Sequence, residues 1–488
     1  MEEIDRAFAR QIPDASTAPA TRRLSGHLGT LDIVFTVLAY NAPLTVVIGL
    51  IPIMLSMGNG LGAPVTFLGA GLLMLLFAVG FTAMSRHVPN AGAYYAYITV
   101  GLGKPLGLGC ALMAMLAYAF FIVGTYLYAG VVFHTFCSHA FGDSPLSWAQ
   151  WAMVIWAAVS ILGYFKISLS AKVLTVALIC EVVVVFAWEL AIGIAHGPAA
   201  FHPAWLTPAA LTSGSVGLAV LFGVTCFAGF EATAVFREEA RNPEVTVPQA
   251  TYVSIVVMAC IFASAAYFFI VGYGPEAALT HAAAAPATAS LDSVGMFLGK
   301  VGLDVVSALT CTSIFACLLA LHNILARYVY SLSSDGTLPK RWAAVHRIHG
   351  SPYKASLMVS LTGGVASAVM IASSVDPYGV YEALVGMAGY SLLILQIFTS
   401  LSVIVFFRRK GANVSVWKRL YAPGASLLGL LVTGWEATTN IDLLTGDVHV
   451  AMYLLALVFG TLIFGVFYAL VLRERSPNIY RAIGRQSL

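Results

Sequence analysis

The feature that most constrains this chain is a series of apolar runs, each close to the ~20 residues a helix needs to cross the ~30 Å hydrocarbon core of a bilayer. They lie at 31–57, 63–84, 106–136, 148–165, 171–195 and 212–236, and again at 249–273, 303–331, 355–373, 380–407, 422–440 and 448–472. In lipid only helices and closed barrels satisfy every backbone N–H and C=O, and a barrel strand would read as an alternating segment of ~10 residues. These runs are longer and apolar all round. The sequence therefore predicts an all-α integral membrane protein with twelve transmembrane helices. Composition agrees, because 59% of the 488 residues are hydrophobic and only 10% charged, against about a quarter charged in soluble domains.

Basic residues near span ends are retained on the cytoplasmic side, and this fixes the expected orientation. With the N-terminus inside and twelve crossings, each of the 25 Lys and Arg residues except Lys300 falls on a cytoplasmic segment or helix end. The set runs from Arg86 and Lys104 through Lys166, Lys172, Arg237, Arg241 and the 340–354 segment to Arg408, Arg409, Lys410 and the stretch after Arg473. Shifting the count by one span breaks the pattern. Both termini are expected in the cytoplasm, with the chain in the cell's inner (plasma) membrane and the bilayer as its solvent. The first thirty residues carry Glu2, Glu3, Asp5, Arg6, Arg10, Arg22 and Arg23 without the short apolar core of a cleavable signal. Insertion is expected to begin at the first span. The loop from Ala195 to Trp205, rich in His, Pro and aromatics, is expected outside, at the membrane interface.

Several function classes are disfavoured. The net charge of +3 is small and its basic residues are scattered, which leaves no stripe for phosphates; nucleic acid is not an expected partner. Five of the seven cysteines, Cys110, Cys180, Cys226, Cys311 and Cys317, sit in apolar runs, where they behave as small hydrophobes. The pairs His134/His139 and His346/His349 have no carboxylate or cysteine at ligand spacing, so no metal site is expected. No HExxH, Walker loop or nucleophile elbow occurs. Neither an enzyme nor a cofactor is expected, and no soluble signalling domain is present to serve a sensor.

Two spans hold features that a plain anchor does not need. In the first, Tyr40-Asn41-Ala42-Pro43 lies near mid-membrane, where Pro43 lacks a donor and clashes with the carbonyl of Ala39. In the sixth, Gly223 and then Phe227-Ala228-Gly229-Phe230-Glu231 place flexible glycines and a carboxylate inside an apolar run. A proline kink and a glycine packing face would account for either helix alone. Together they stand five spans apart, and an odd number of helices per repeat inverts the second unit. Discontinuous helices at equivalent positions of inverted repeats point to a transporter's binding site.

The same residues carry a family resemblance. Phe227-Ala228-Gly229-Phe230-Glu231, followed by Arg237-Glu238-Glu239-Ala240-Arg241-Asn242-Pro243 and Val247-Pro248, is similar to the sixth-helix signature of the amino acid/polyamine/organocation (APC) superfamily. Val88-Pro89-Asn90-Ala91-Gly92-Ala93-Tyr94-Tyr95 with Gly101-Leu102-Gly103 resembles that superfamily's segment after helix 2. Ala326-Arg327-Tyr328-Val329-Tyr330 through Asp335-Gly336-Thr337-Leu338-Pro339 and Ser351-Pro352 resembles the segment after helix 8. The resemblance implies a LeuT-like core of five-plus-five inverted repeats with broken helices 1 and 6. On this chain the repeats would be 31–195 and 212–407, with accessory helices over 422–472 and cytoplasmic tails at 1–30 and 473–488. It further implies a permease in which substrate lies between the unwound stretches of helices 1 and 6, lined by helices 3, 8 and 10. Transport would alternate access and be driven by protons, by exchange, or by sodium. Tyr40, Asn41, Ala42, Pro43, Tyr118, Phe227, Ala228, Gly229 and Phe230 are the candidate contacts for a small amino acid or amine. One departure matters, since Asn41-Ala42-Pro43 stands where amino-acid-binding members carry a Gly-x-Gly. That weakens the α-carboxylate pocket and keeps a polyamine or alkanolamine substrate open.

Glu181 lies ten residues beyond Ala171, about 15 Å into the membrane at 1.5 Å per residue. Its helical neighbours Ala177, Leu178, Val184 and Val185 are apolar, so a partner must come from another helix. Charged groups at this depth are functional candidates, and Glu181 is the candidate for proton coupling. Its ordinary alternative is a structural carboxyl bonded to a neighbour's hydroxyl or carbonyl. Glu231, two residues past the sixth-span break, suits a gating role through freed amides. Thr310, Thr312 and Ser313 supply hydroxyls at a depth suited to a proton-linked or sodium site, although helical Ser and Thr more often bond the preceding turn. Tyr118, Phe121, Tyr126, Phe227 and Phe230 could gate a cationic amine through their ring faces. Glu189 and Asp304, nearer the external ends, are expected at the interface.

Overall fold

The computed structural model describes all residues except 1–27, 89–92, 166–170, 199–206, 232, 234–239, 347–350, 411–413 and 485–488. The charged N-terminal tail, the Pro89-Asn90-Ala91-Gly92 part of the second motif, Arg237-Glu238-Glu239, most of the loop ending at Trp205, and His349 lie outside the described residues.

Eight helices among the described residues are long and apolar enough to cross a membrane, and a ninth crossing comes from a bent pair. The pair is α1 (Thr30–Asn41) and α2 (Pro43–Met57), inclined by 43° at the break. It is followed by α3 (Ala63–Ser85), the short α4 (Ala93–Leu102) and the long α5 (Lys104–Phe141). Next come α6 (Trp148–Tyr164), α7 (Ala171–His196), α8 (Val216–Thr225) and α9 (Pro243–Tyr273). Then come α10 (Pro275–Ala284), α11 (Ala289–Ser334), α12 (Tyr353–Ala372), α13 (Pro377–Lys410), α14 (Ala422–Thr439), α15 (Val448–Arg475) and α16 (Pro477–Ala482), with single helical turns at Pro208–Leu211 and Ile441–Thr445 besides. α6 and α8 are apolar but shorter than a full crossing. The sixth apolar run was expected to break within Phe227–Glu231. Its regular helix stops at Thr225, just before that segment, and Gly229 adopts φ +106°, outside helical geometry.

The layout follows from which helices are buried on all sides. In α5 and α13, 72% of the apolar window is inside the protein, whereas in α15 only 22% is. The first two therefore form the centre and α15 lies on the periphery, with Leu457, Phe464 and Phe467 facing outward. Lipid offers no hydrophobic drive for helix association, so close approach of backbones must supply contact. Gly109 of α5 and Gly465 of α15 meet in this way, since a Cβ on Gly465 would lie 2.6 Å from the Cα of Gly109. Gly389 of α13 makes the room that Thr225 occupies at the end of α8. The break in the sixth run is thus seated against the central helix.

Candidate functional site

At the first break Pro43 opens α2, where a missing N–H does no harm and a fixed φ favours the helix start. The residue before it takes the conformational load: Ala42 is left-handed, with φ 51° and ψ 69°. Asn41 does not unwind, as had been expected, but remains the last residue of α1. The amide of Ala42 donates to Leu38 O at 3.1 Å, so α1 closes normally. Leu44 stands at the second position of α2, where no intrahelical carbonyl is available. Its N–H donates instead to Glu181 Oε2 at 3.2 Å, and the hydroxyl of Ser313 donates to the same oxygen at 3.1 Å. Glu181 is 5% exposed. A carboxylate at a helix N-terminus is favoured by the helix dipole, which gives this buried acid both a partner and a field.

At the second break, Cys226 to Glu231 form turns rather than helix. The carbonyls of Cys226 and Ala228, released from the helical ladder, accept from the side-chain amide of Asn41, the second at 3.1 Å. The amide of Gly229 donates to Glu231 Oε2 at 2.9 Å, and the Tyr118 hydroxyl donates to Glu231 Oε1 at 2.9 Å. Tyr118 in turn packs against Tyr328 of α11, ring centres 5.7 Å apart. Tyr40 is the side chain nearest to the open face of Gly229. The two breaks therefore face each other and are joined through Asn41, with a carboxylate attached to each.

Other candidates go elsewhere. Phe227 and Phe230 turn their rings away from the breaks, onto Phe262 of α9 and onto Phe77 and Phe81 of α3; both are fully buried packing residues. Tyr126 and Phe121 are also buried. Thr312 is exposed and its hydroxyl returns to Leu309 O at 2.8 Å, which separates it from its neighbour Ser313. Thr310 likewise bonds Val306 O. Glu189, expected at the interface within reach of water, is instead 4% exposed and accepts from Ser264 at 2.7 Å. Asp304 pairs with Lys300 at 3.8 Å one helical turn away.

A buried carboxyl and a buried imidazole were not singled out from the sequence. Glu382 is 7% exposed beside Tyr378 and Tyr381 in α13. His322 is fully buried in α11, with Nε2 2.8 Å from Ser356 Oγ. Each stands inside a long apolar run, the same signal that marked Glu181.

Residues 32–475 match the profile of the amino acid permease family. The chain is similar to the branched-chain amino acid permease BcaP of Lactococcus lactis, 24% identical over 79% of this chain and 84% of the relative. It is also similar to the low-affinity putrescine importer PlaP of Escherichia coli, 24% identical over 87% and 92% of the two chains. A third relative is a methylthioribose transporter of Bacillus subtilis, 26% identical over 79% and 85%.

Proposed function

This chain belongs to the amino acid permease family, and from that premise we propose that it is a proton-coupled secondary transporter of small amino acids or related amines, working by alternating access. The proposed architecture is twelve crossings in five-plus-five inverted repeats, with two accessory helices and both termini in the cytoplasm of a cell's inner membrane. The observation that carries the reading is the pair of breaks joined through Asn41. Non-helical backbone is tolerated at this depth only where protein or water satisfies it, and facing breaks are where such folds bind their cargo.

Coupling follows from the chemistry of Glu181. Ionised, it accepts from Leu44 N and from Ser313 and so holds the start of α2 against α7 and α11. A proton turns one of its acceptor sites into a donor, which weakens that hold and ties the position of α2 to protonation. Glu181→Gln keeps the shape and cannot cycle a proton. In proteoliposomes offered radiolabelled amino acids and amines, the variant is expected to retain exchange and to lose accumulation driven by an imposed pH gradient. Retained pH-driven accumulation would make Glu181 structural and move the search to Glu231 or to sodium at Ser313.

A second reading, a polyamine or alkanolamine carrier, is favoured by the state of the backbone donors. Pro43 has no N–H, Leu44 N is taken by Glu181, and Gly229 N is taken by Glu231. The amides that a substrate carboxylate would use are already held by the protein's own carboxylates. Saturable uptake of a diamine and none of a zwitterionic amino acid in the same panel would select this reading.

A further inference from the structure

Glu181 lines a cavity of about 810 Å³ that lies apart from the two facing breaks proposed above to hold the substrate. Ligand pockets commonly measure about 300–1,000 Å³, so its size suits a small molecule. Phe133 and Phe136 of α5, Val176 of α7 and Phe315 of α11 are among its walls. Two cysteines aside, its polar side chains are Glu181 and Thr312. The mouth is lateral. Val176 is 61% exposed, Cys180 and Thr312 are exposed, and the same side of α7 shows Ile179, Val183 and Phe186. In a spanning bundle such an apolar strip faces acyl chains, so the cavity opens to the hydrocarbon phase.

Beyond the field of the α2 N-terminus, the carboxylate in its wall has no cationic partner among the described residues. Glu181 has two neutral donors, both on Oε2, and takes part in no ion pair among the described residues. The Thr312 proton is already given to Leu309 O, so toward a ligand this hydroxyl can only accept. A carboxylate and a hydroxyl acceptor ask for a donor that is cationic, while the aromatic and aliphatic walls ask for a chain. We propose that this groove binds a primary alkylammonium, a single cationic head on an unbranched apolar tail, that enters sideways from the bilayer. The head lies between Glu181 and Thr312, and the tail lies along Phe133, Phe136 and Phe315. A diamine is rejected, because its second charge would be stranded against apolar walls. Occupancy holds Glu181 ionised and so blocks accumulation, a consequence that rests on the coupling role proposed above; binding itself does not.

The test uses the full-length protein in nanodiscs, without substrate or pH gradient. The probe is dicyclohexylcarbodiimide, a lipid-soluble reagent to which a carboxylic acid adds across a C=N bond to give an O-acylisourea, whose acyl group then shifts from oxygen to nitrogen as a stable N-acylurea, read by peptide mass mapping. Glu181 is expected to be modified, and dodecylammonium to slow its modification about tenfold while leaving Glu189, the internal reference, unchanged. Ala308→Phe, which fills the groove, is expected to abolish dodecylammonium protection while substrate exchange persists. Ala316→Phe replaces it if that variant does not fold. Equal protection by dodecanol would reduce the site to an acyl-chain crevice and overturn the proposal. So would an unmodified Glu181, protection by putrescine, or protection that survives both groove-filling variants.

Discussion

At the break in the first span a single residue, Ala42, leaves helical geometry and Pro43 restarts the helix at once. At the break in the sixth, the turns run from Cys226 to Glu231 around Gly229. The carboxylate that receives the freed amide differs in the same way. For the first break it comes from another helix, 137 residues away in sequence; for the sixth it is two residues along the same segment. A short break restarts its helix by local chemistry and needs a distant partner only for the one amide left over. A long break frees several groups, and here it holds its own amide locally and gives its carbonyls to the other break. Asn41 is what makes the two one unit, because it belongs to the first and satisfies the second.

That contrast can be broken most severely at Asn41. Asn41→Leu keeps the volume but strands the carbonyls of Cys226 and Ala228, at about 1–3 kcal/mol for each buried group left unsatisfied. A drop of several degrees in Tm, measured on purified protein in detergent, is expected, together with loss of substrate protection. An unchanged Tm would mean that the two breaks do not depend on each other.

A smaller effect is expected at Gly229→Ala, which separates backbone strain from crowding. A Cβ there meets nothing closer than Tyr40 Cβ at 3.9 Å, so the side chain fits while φ +106° disfavours it. A destabilisation of about 1–3 kcal/mol follows from the strained conformation alone. Wild-type stability in this variant would show that the sixth-span break relaxes to accommodate the methyl.

The smallest effect belongs to Ala42→Gly. Relief of left-handed strain is worth about 1–2 kcal/mol, offset by about 0.4–1 kcal/mol of added freedom in the unfolded chain and about 0.8 kcal/mol for one buried methyl. The three nearly cancel, and a stability within about 0.5 kcal/mol of wild type is expected. A large loss would show that the 2% exposed methyl of Ala42 packs the break together, making it as dependent on tertiary contacts as the sixth.

Much of the site was legible because its causes are local. Pro43 removes a donor wherever it stands, and a Gly-Phe-Glu run in an apolar segment announces a break. The errors have a common origin. Asn41 was expected to unwind with its neighbours, but nothing in the dipeptide says on which side of Ala42 the helix yields. Glu189 was expected to reach water from its position along the span, yet Ser264 of α9 gives it a buried partner. Phe227 and Phe230 share a segment with Gly229, and nothing in that segment says that the turn sends their rings to α9 and α3.

The sequence by itself determined that this chain spans a membrane as helices and where two of them fail, because hydrophobic length, a missing N–H and a missing Cβ act within a few residues. Tertiary structure alone decided what meets the groups those failures leave free. Whether Glu181 meets an amide, a hydroxyl or lipid depends on how α7 is rotated against α2 and α11, and that rotation is set by packing over the whole bundle. Ser313 reaches Glu181 while its neighbour Thr312 faces outward, since adjacent residues on a helix point about 100° apart. No local pattern in the sequence distinguishes the two hydroxyls.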